Sequence, residues 1–298
     1  MNRAEELSIP TARGALAAKA WGDRQQPPVL ALHGWLDNAG SFDGLAPLLA
    51  TDRYVVALDL RGHGRSAHAV GGAWLHYVDY FDDVRAAFDH FGWPRADLLG
   101  HSLGGTLASL FAALYPARVG ELLLVEALGP LAAAPDDALA QLRRALDQRT
   151  EFASRRPLRV FAQIETAIAT RVAANGLSEA AARALVERGV REIEGGYVWS
   201  SDPRLTLASP QRFTEVQVLA MLKGIEAPTL LILATPATSY LPTTMMETRT
   251  AQVADIRTVR LPGRHHLHLE DAPAVAGAIR AFRERPVPAA ASQSAAGA

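Results

Sequence analysis

The sequence predicts an α/β protein, a mostly parallel sheet flanked by helices and interrupted by an inserted helical lid. Three observations carry this expectation. Short apolar runs alternate with longer amphipathic stretches from about Leu7 to Pro130. Between about Leu131 and Leu222 that alternation stops and helical periodicity takes over. From Thr229 to Arg283 the alternation resumes.

The first strands are expected at Leu16–Trp21, Val29–His33, Tyr54–Leu58, Ala96–Gly100 and Leu122–Glu126. Val29-Leu30-Ala31-Leu32 and Leu122-Leu123-Leu124-Val125 are apolar without alternation, which fits strands covered on both faces. The segments Ser41–Ala50, Val78–Phe91 and Ser102–Tyr115 read as helices, and Trp74, Tyr77 and Phe81, at helical spacing, suggest a core face. In the insertion, helices are expected at Ala138–Arg149, Leu158–Ala173, Ser178–Arg191 and Ser209–Lys223, with Ser178 as an N-cap. Only Tyr197–Ser200 reads there as extended, and Asp202-Pro203-Arg204 as a turn. Strand Thr229–Leu233, helix Leu241–Val253, strand Ile256–Arg260 and helix Ala272–Arg283 complete the pattern.

The chain thus divides into a core of residues 1–130 with 223–285, a helical cap of 131–222, and a tail of 286–298 whose Ala, Ser, Pro and Gly predict disorder. The insertion follows the strand ending at Glu126. It would emerge at the carboxyl edge of the sheet, where open α/β folds bind ligands, and so act as a lid. A helical domain packed elsewhere is the alternative.

Of 298 residues, 49% are hydrophobic and 20% charged, enough apolar material for a large core. A formal net charge of −1 gives no electrostatic case for nucleic acid or an anionic membrane as partner. The absence of cysteine excludes disulfides, thiolate metal sites and a cysteine nucleophile, and fits a reducing compartment. No apolar run approaches the ~18 residues of a membrane span, and Met1–Pro10 has no apolar signal region. The expectation is a cytoplasmic protein acting on a small molecule, without a cofactor or metal. The sequence leaves the oligomeric state open.

The chemistry centres on Gly100-His101-Ser102-Leu103-Gly104. Preceded by a short apolar run and followed by a helical one, it reads as a nucleophile elbow, a sharp strand-to-helix turn exposing the Ser102 hydroxyl. A serine needs a base to take its proton. Of nine histidines, the informative cluster lies in Gly263-Arg264-His265-His266-Leu267-His268-Leu269-Glu270, a loop after the last expected strand. The strand ending in His33-Gly34-Trp35 adds a second element: the N–H groups of Trp35 and Leu103 could together hold a developing oxyanion. In Asp59-Leu60-Arg61-Gly62-His63-Gly64-Arg65-Ser66, the side chains of Asp59, Arg61 and His63 read as holding their own loop. His101 reads as packing under the elbow.

These stretches, in this order, resemble the landmarks of the serine α/β-hydrolases of the lidded, single-domain type. Within that superfamily, His33-Gly34-Trp35-Leu36-Asp37-Asn38-Ala39 and Gly263-Arg264-His265-His266-Leu267-His268 are similar to the serine hydrolase-like proteins. The likeness covers both sheet portions and not the insertion. It implies an α/β-hydrolase fold and places the base at His265, five residues before Glu270, with His266 and His268 as competitors. In most relatives an aspartate follows the strand after the lid. Here that strand runs into Ala234-Thr235-Pro236-Ala237-Thr238-Ser239, which holds no carboxylate. Some relatives carry the acid at the end of the strand before the lid, a position occupied here by Glu126. Its alternative role is a hinge residue bonded to nearby backbone.

The resulting expectation is a carboxylesterase-like hydrolase, cleaving an ester or related acyl compound through an acyl-enzyme on Ser102. The substrate is expected to have an apolar acyl or alcohol part. An acyltransferase or C–C bond hydrolase would use the same groups, a perhydrolase side activity would be incidental, and a non-catalytic binding protein on the same scaffold is the reading from another class. A serine at 102 argues against relatives that use a carboxylate nucleophile.

Overall fold

In a computed structural model of the chain, residues 4–70, 73–152 and 159–284 are described. The elements run β1 (Glu5–Ile9), β2 (Leu16–Trp21), β3 (Pro28–Leu32), α1 (Ala46–Leu49), β4 (Tyr54–Leu58), α2 (Tyr80–His90), β5 (Ala96–His101), α3 (Leu103–Leu114) and β6 (Val119–Val125). The insertion contributes α4 (Ala138–Phe152), α5 (Ile164–Asn175), α6 (Glu179–Gly189), β7 (Val190–Ile193), β8 (Gly196–Trp199) and α7 (Glu215–Leu222). The chain then forms β9 (Thr229–Thr235), α8 (Thr243–Thr250), β10 (Ile256–Pro262), α9 (Leu267–Glu270) and α10 (Ala272–Arg283).

Eight strands form one sheet in the order β1-β2-β4-β3-β5-β6-β9-β10. The five pairings from β4 to β10 are parallel, while β1 with β2 and β2 with β4 are antiparallel. The inner strands are buried as their composition requires: every residue of β4 and all but the first of β3 are inaccessible. One apolar cluster, including Leu30, Leu32, Phe88 and Phe111, fills the face under α2 and α3. A second, including Val29, Ala31, Val275 and Phe282, fills the face under α1 and α10. Burying each such large side chain stabilises the fold by about 1.5–3 kcal/mol. Parallel pairing puts the β3, β5, β6, β9 and β10 exits on one edge.

Several sequence expectations needed correction. β1 was missed: its first half is Glu5-Glu6, both exposed, because an edge strand tolerates charge that an inner one cannot. The helix expected at Ser41–Ala50 is a 3₁₀ turn at Ala39–Phe42 followed by the single-turn α1. The extended piece near Tyr197 is one arm of a β7–β8 hairpin turned at Glu194 and Gly195. The helix expected at Ser209–Lys223 starts only at Glu215, where Thr214 and Gln217 form a capping box. Of the helix expected at Leu158–Ala173, Leu158 lies outside the described residues, and α5 begins at Ile164. Ser178 does cap α6, its hydroxyl accepting from Ala181 N–H at 3.2 Å. The tail expected at 286–298 also lies outside the described residues.

The insertion has an apolar cluster of its own around Phe161, Ile168, Leu185 and Val186. Polar contacts tie it to the sheet edge. Arg188 donates from Nε to both carboxylate oxygens of Asp59 at 3.0 Å, and from Nη1 to Glu6 at 2.8 Å. Asp202 N–H donates to Gly62 O at 2.7 Å and Asn38 Nδ2 to Leu185 O at 2.8 Å.

Candidate active site

Ser102 joins β5 to α3 with φ +51° and ψ −113°, a conformation that side chains adopt only under constraint. Close packing around it supplies the constraint. A Cβ at Gly104 would lie 1.9 Å from Leu32 O, and one at Gly100 would lie 2.5 Å from Gly104 O, so α3 starts closer to β3 than any side chain allows. Ser102 N–H donates to Val125 O at 3.0 Å, and Ser102 O accepts from Thr106 N–H at 2.9 Å. Leu103 opens α3, so its N–H belongs to the helix's unpaired first turn.

Ser102 and Leu103 line a cavity of about 600 Å³. Trp35 lines it too, with its indole Nε1–H donating to Leu205 O at 3.0 Å. Arg144, Gln148, Leu205 and Phe213 of the insertion contribute to the same wall. Trp74 and Tyr77, expected in a core face with Phe81, line this cavity, while Tyr77 and Phe81 pack against the core.

Glu126 directly follows β6, with φ +55°, and is only 2% exposed. An isolated buried carboxylate would cost several kcal/mol or more, but this one has partners. Oε1 accepts from Ala234 N–H at 2.6 Å, and Oε2 accepts from the Thr238 hydroxyl at 3.3 Å and lies 3.4 Å from His265 Nδ1. The hinge alternative foresaw the backbone bond; the histidine contact exists beside it. β9 lies between β6 and β10 in the sheet, so a loop leaving β10 can reach an acid on either strand end. Tyr240 stacks edge-on against His265, ring centroids 5.1 Å apart, and burial with the nearby Glu126 charge raises its phenol above the usual range. Thr238 and Tyr240 carried no sequence signal; their contacts arise from where β9 ends.

The competing histidines go elsewhere. His268 is buried with Nε2 2.7 Å from Ser41 Oγ, and His266 Nε2 lies 3.3 Å from Asp37 Oδ2. His101 is buried under the elbow and donates from Nε2 to His265 O at 2.9 Å. Among the described residues no hydrogen bond joins Ser102 Oγ to His265; such contacts often tighten only when substrate binds. Asp59 accepts from Ala39 and Arg65 N–H, Arg61 pairs with Asp83 at 2.8 Å, and His63 Nδ1 bonds Arg61 O at 3.1 Å, all contacts that hold the loop.

Burial pushes His33 down to about 4, His101 to about 4 and His63 to about 3. For His101, Asp37 opposes that effect without cancelling it. A histidine that ionises near 6.5 when unfolded and near 4 when folded leaves stability untouched above pH 6.5. As pH falls from there toward 4, the unfolded state takes up the proton first and stability is lost, about 2 kcal/mol per histidine by pH 5. Asp37 adds a loss at lower pH: although burial would raise it, His266 and Arg171 hold it well below the usual carboxylate range. Denaturant unfolding should therefore show stability falling by several kcal/mol between pH 7 and pH 5. A flat profile across that window would contradict neutral burial of these rings.

A family model for the alpha/beta hydrolase fold matches residues 27–254. A serine hydrolase-like protein of Danio rerio is 34% identical over 287 residues, covering 94% of this chain and 88% of its own length. Serine hydrolase-like protein 2 of Homo sapiens is 33% identical over 297 residues, covering 93% of each. Among solved structures, a hypothetical protein of Pseudomonas aeruginosa PAO1 superposes with a TM-score of 0.88 at 39% identity, over 94% of this chain and 100% of that one. The thioesterase domain from the curacin biosynthetic pathway superposes with a TM-score of 0.81 at 29% identity, over 94% and 100%. With its parallel sheet, strained Ser102 turn and late histidine loop, the chain belongs to the α/β-hydrolase fold family and, within it, to the serine hydrolase-like proteins.

Proposed function

We propose that this hydrolase cleaves a carboxylic ester or related acyl compound through an acyl-enzyme on Ser102. The observation that carries the reading is the 3.4 Å contact of Glu126 Oε2 with His265 Nδ1, on the same sheet edge as the strained serine. Glu126 accepts the Nδ1 proton, which leaves Nε2 as the base. As Ser102 Oγ attacks the carbonyl, its proton passes to His265 Nε2. The Trp35 and Leu103 N–H groups take the oxyanion, and losing one such donor typically costs ~3 kcal/mol of transition-state stabilisation. Collapse of the tetrahedral adduct breaks the bond to the leaving group, which departs with the proton from His265. Water then repeats the sequence against the acyl-serine and releases the acid.

Residues 131–222 serve as the cap, since Arg144, Gln148, Leu205 and Phe213 wall the cavity that holds Ser102. Trp74, Leu75, Tyr77 and Leu241 make much of that wall apolar, which suits an apolar acyl or alcohol part. The likeness to a thioesterase domain supports thioesters among the candidates. No helix among the described residues is long and apolar enough to cross a membrane, and the chain has no cysteine; both are consistent with the cytoplasmic location we propose.

Mixing the protein with a p-nitrophenyl acyl ester should release about one equivalent of p-nitrophenol per chain in a burst before a slower steady rate. Release no faster than that from heat-unfolded protein would contradict the reading.

A further inference from the structure

We propose that Asp37, His101 and His266 form a binding site for a divalent transition ion of the zinc type, separate from the acyl chemistry. Oδ2 of Asp37, Nδ1 of His101 and Nε2 of His266 all lie within 4.8 Å of one another, and all three residues are buried. Two imidazoles and a carboxylate are a donor set for zinc and its neighbours. Asp37 Oδ2 and His101 Nδ1 are inaccessible and have no hydrogen-bond partner. Buried polar atoms left this way are rare and call for an explanation.

The surroundings orient both groups as ligands. His101 commits its Nε2–H to the His265 carbonyl, so a neutral ring presents a bare lone pair at Nδ1. A metal-bound histidine commonly donates its other N–H to a backbone carbonyl in this way. The second carboxylate oxygen, Asp37 Oδ1, is held by Arg171. Asp37 Oδ2 stands 3.7 Å from His101 Nδ1 and 3.3 Å from His266 Nε2. These distances bracket the roughly 3.4 Å ligand–ligand edge of a tetrahedron with zinc bonds of ~2.1 Å.

The glycine beside the donors leaves space between them. A Cβ on Gly34 would fall 2.8 Å from Asp37 Oδ2 and 2.9 Å from His101 Nδ1, so the glycine leaves open a point that both unpartnered atoms face. His266 also lines a second cavity, of about 260 Å³, between the Gly176–Ser178 turn and Gly263-Arg264.

Calorimetric titration of the full chain with Zn²⁺, after chelator treatment, tests the site. One ion per chain is expected, with affinity falling at least about tenfold in His266→Gln and in Asp37→Asn, and unchanged in the exposed-residue control His90→Gln. Absence of saturable binding, or equal binding by all the folded variants, would overturn the proposal. Co²⁺ added to the wild-type protein provides a readout that needs no variant. An intense visible band of a four- or five-coordinate ion is expected, and only the weak band of the hexahydrated ion would overturn the site. Neither readout depends on ester turnover, so this site and the hydrolytic reading can fail separately.

Discussion

Glu126→Gln is expected to lower ester turnover about 10⁴-fold while leaving the fold intact. Glutamine keeps a carbonyl oxygen to accept from Ala234 N–H, now 2.6 Å from Oε1, so the end of β6 remains tied to β9. What changes is the atom facing His265. An amide NH₂ at the Oε2 position donates where the carboxylate accepted, so Nδ1 must present its lone pair and Nε2 must carry the proton. A ring in that tautomer cannot take the proton of Ser102. Steady-state rates on a p-nitrophenyl ester, with circular dichroism to verify folding, check this directly. A decrease of less than about tenfold in the folded variant would remove Glu126 from the mechanism.

Ser102→Ala should have a still larger effect, about 10⁶-fold on turnover. The variant retains the cavity, the backbone donors and the histidine, but has no atom to carry the acyl group. Alanine at φ +51° is no easier to accommodate than serine, and the surrounding close packing is untouched, so the thermal transition should shift little. Residual rates within tenfold of wild type would mean that another group or a bound water does the chemistry.

The central strands were legible because a strand covered on both faces must be an unbroken apolar run, and Val29–Leu32 and Leu122–Val125 are such runs. The edge strand β1 was not, since only Leu7 and Ile9 of its five residues are apolar. The elbow was legible for a steric reason. Gly100 and Gly104 stand at fixed offsets from Ser102, and a Cβ at either would clash with backbone. Glu126 could be nominated through the resemblance, which places the acid of some relatives at the end of the strand before the lid, and a carboxylate there requires a partner. Its bonds to Ala234 and Thr238 could not be read, because they depend on β6 and β9 being neighbours across residues far apart in the chain. The same limit hid Arg171 on Asp37 and Arg188 on Asp59, long-range pairs that join the insertion to the sheet edge. Trp74 and Tyr77 show a different ambiguity, since a cavity wall and a core face share the same apolar spacing.

The central claim is that Ser102 is the nucleophile of an acyl-transferring site. It is tested most directly by treating the folded protein with a fluorophosphonate and locating the adduct by peptide mass spectrometry. The account predicts one adduct per chain, on Ser102, absent from Ser102→Ala and from unfolded protein. An unlabelled Ser102 in the folded chain, or an adduct on another residue, would contradict it and favour a binding protein built on a hydrolase scaffold.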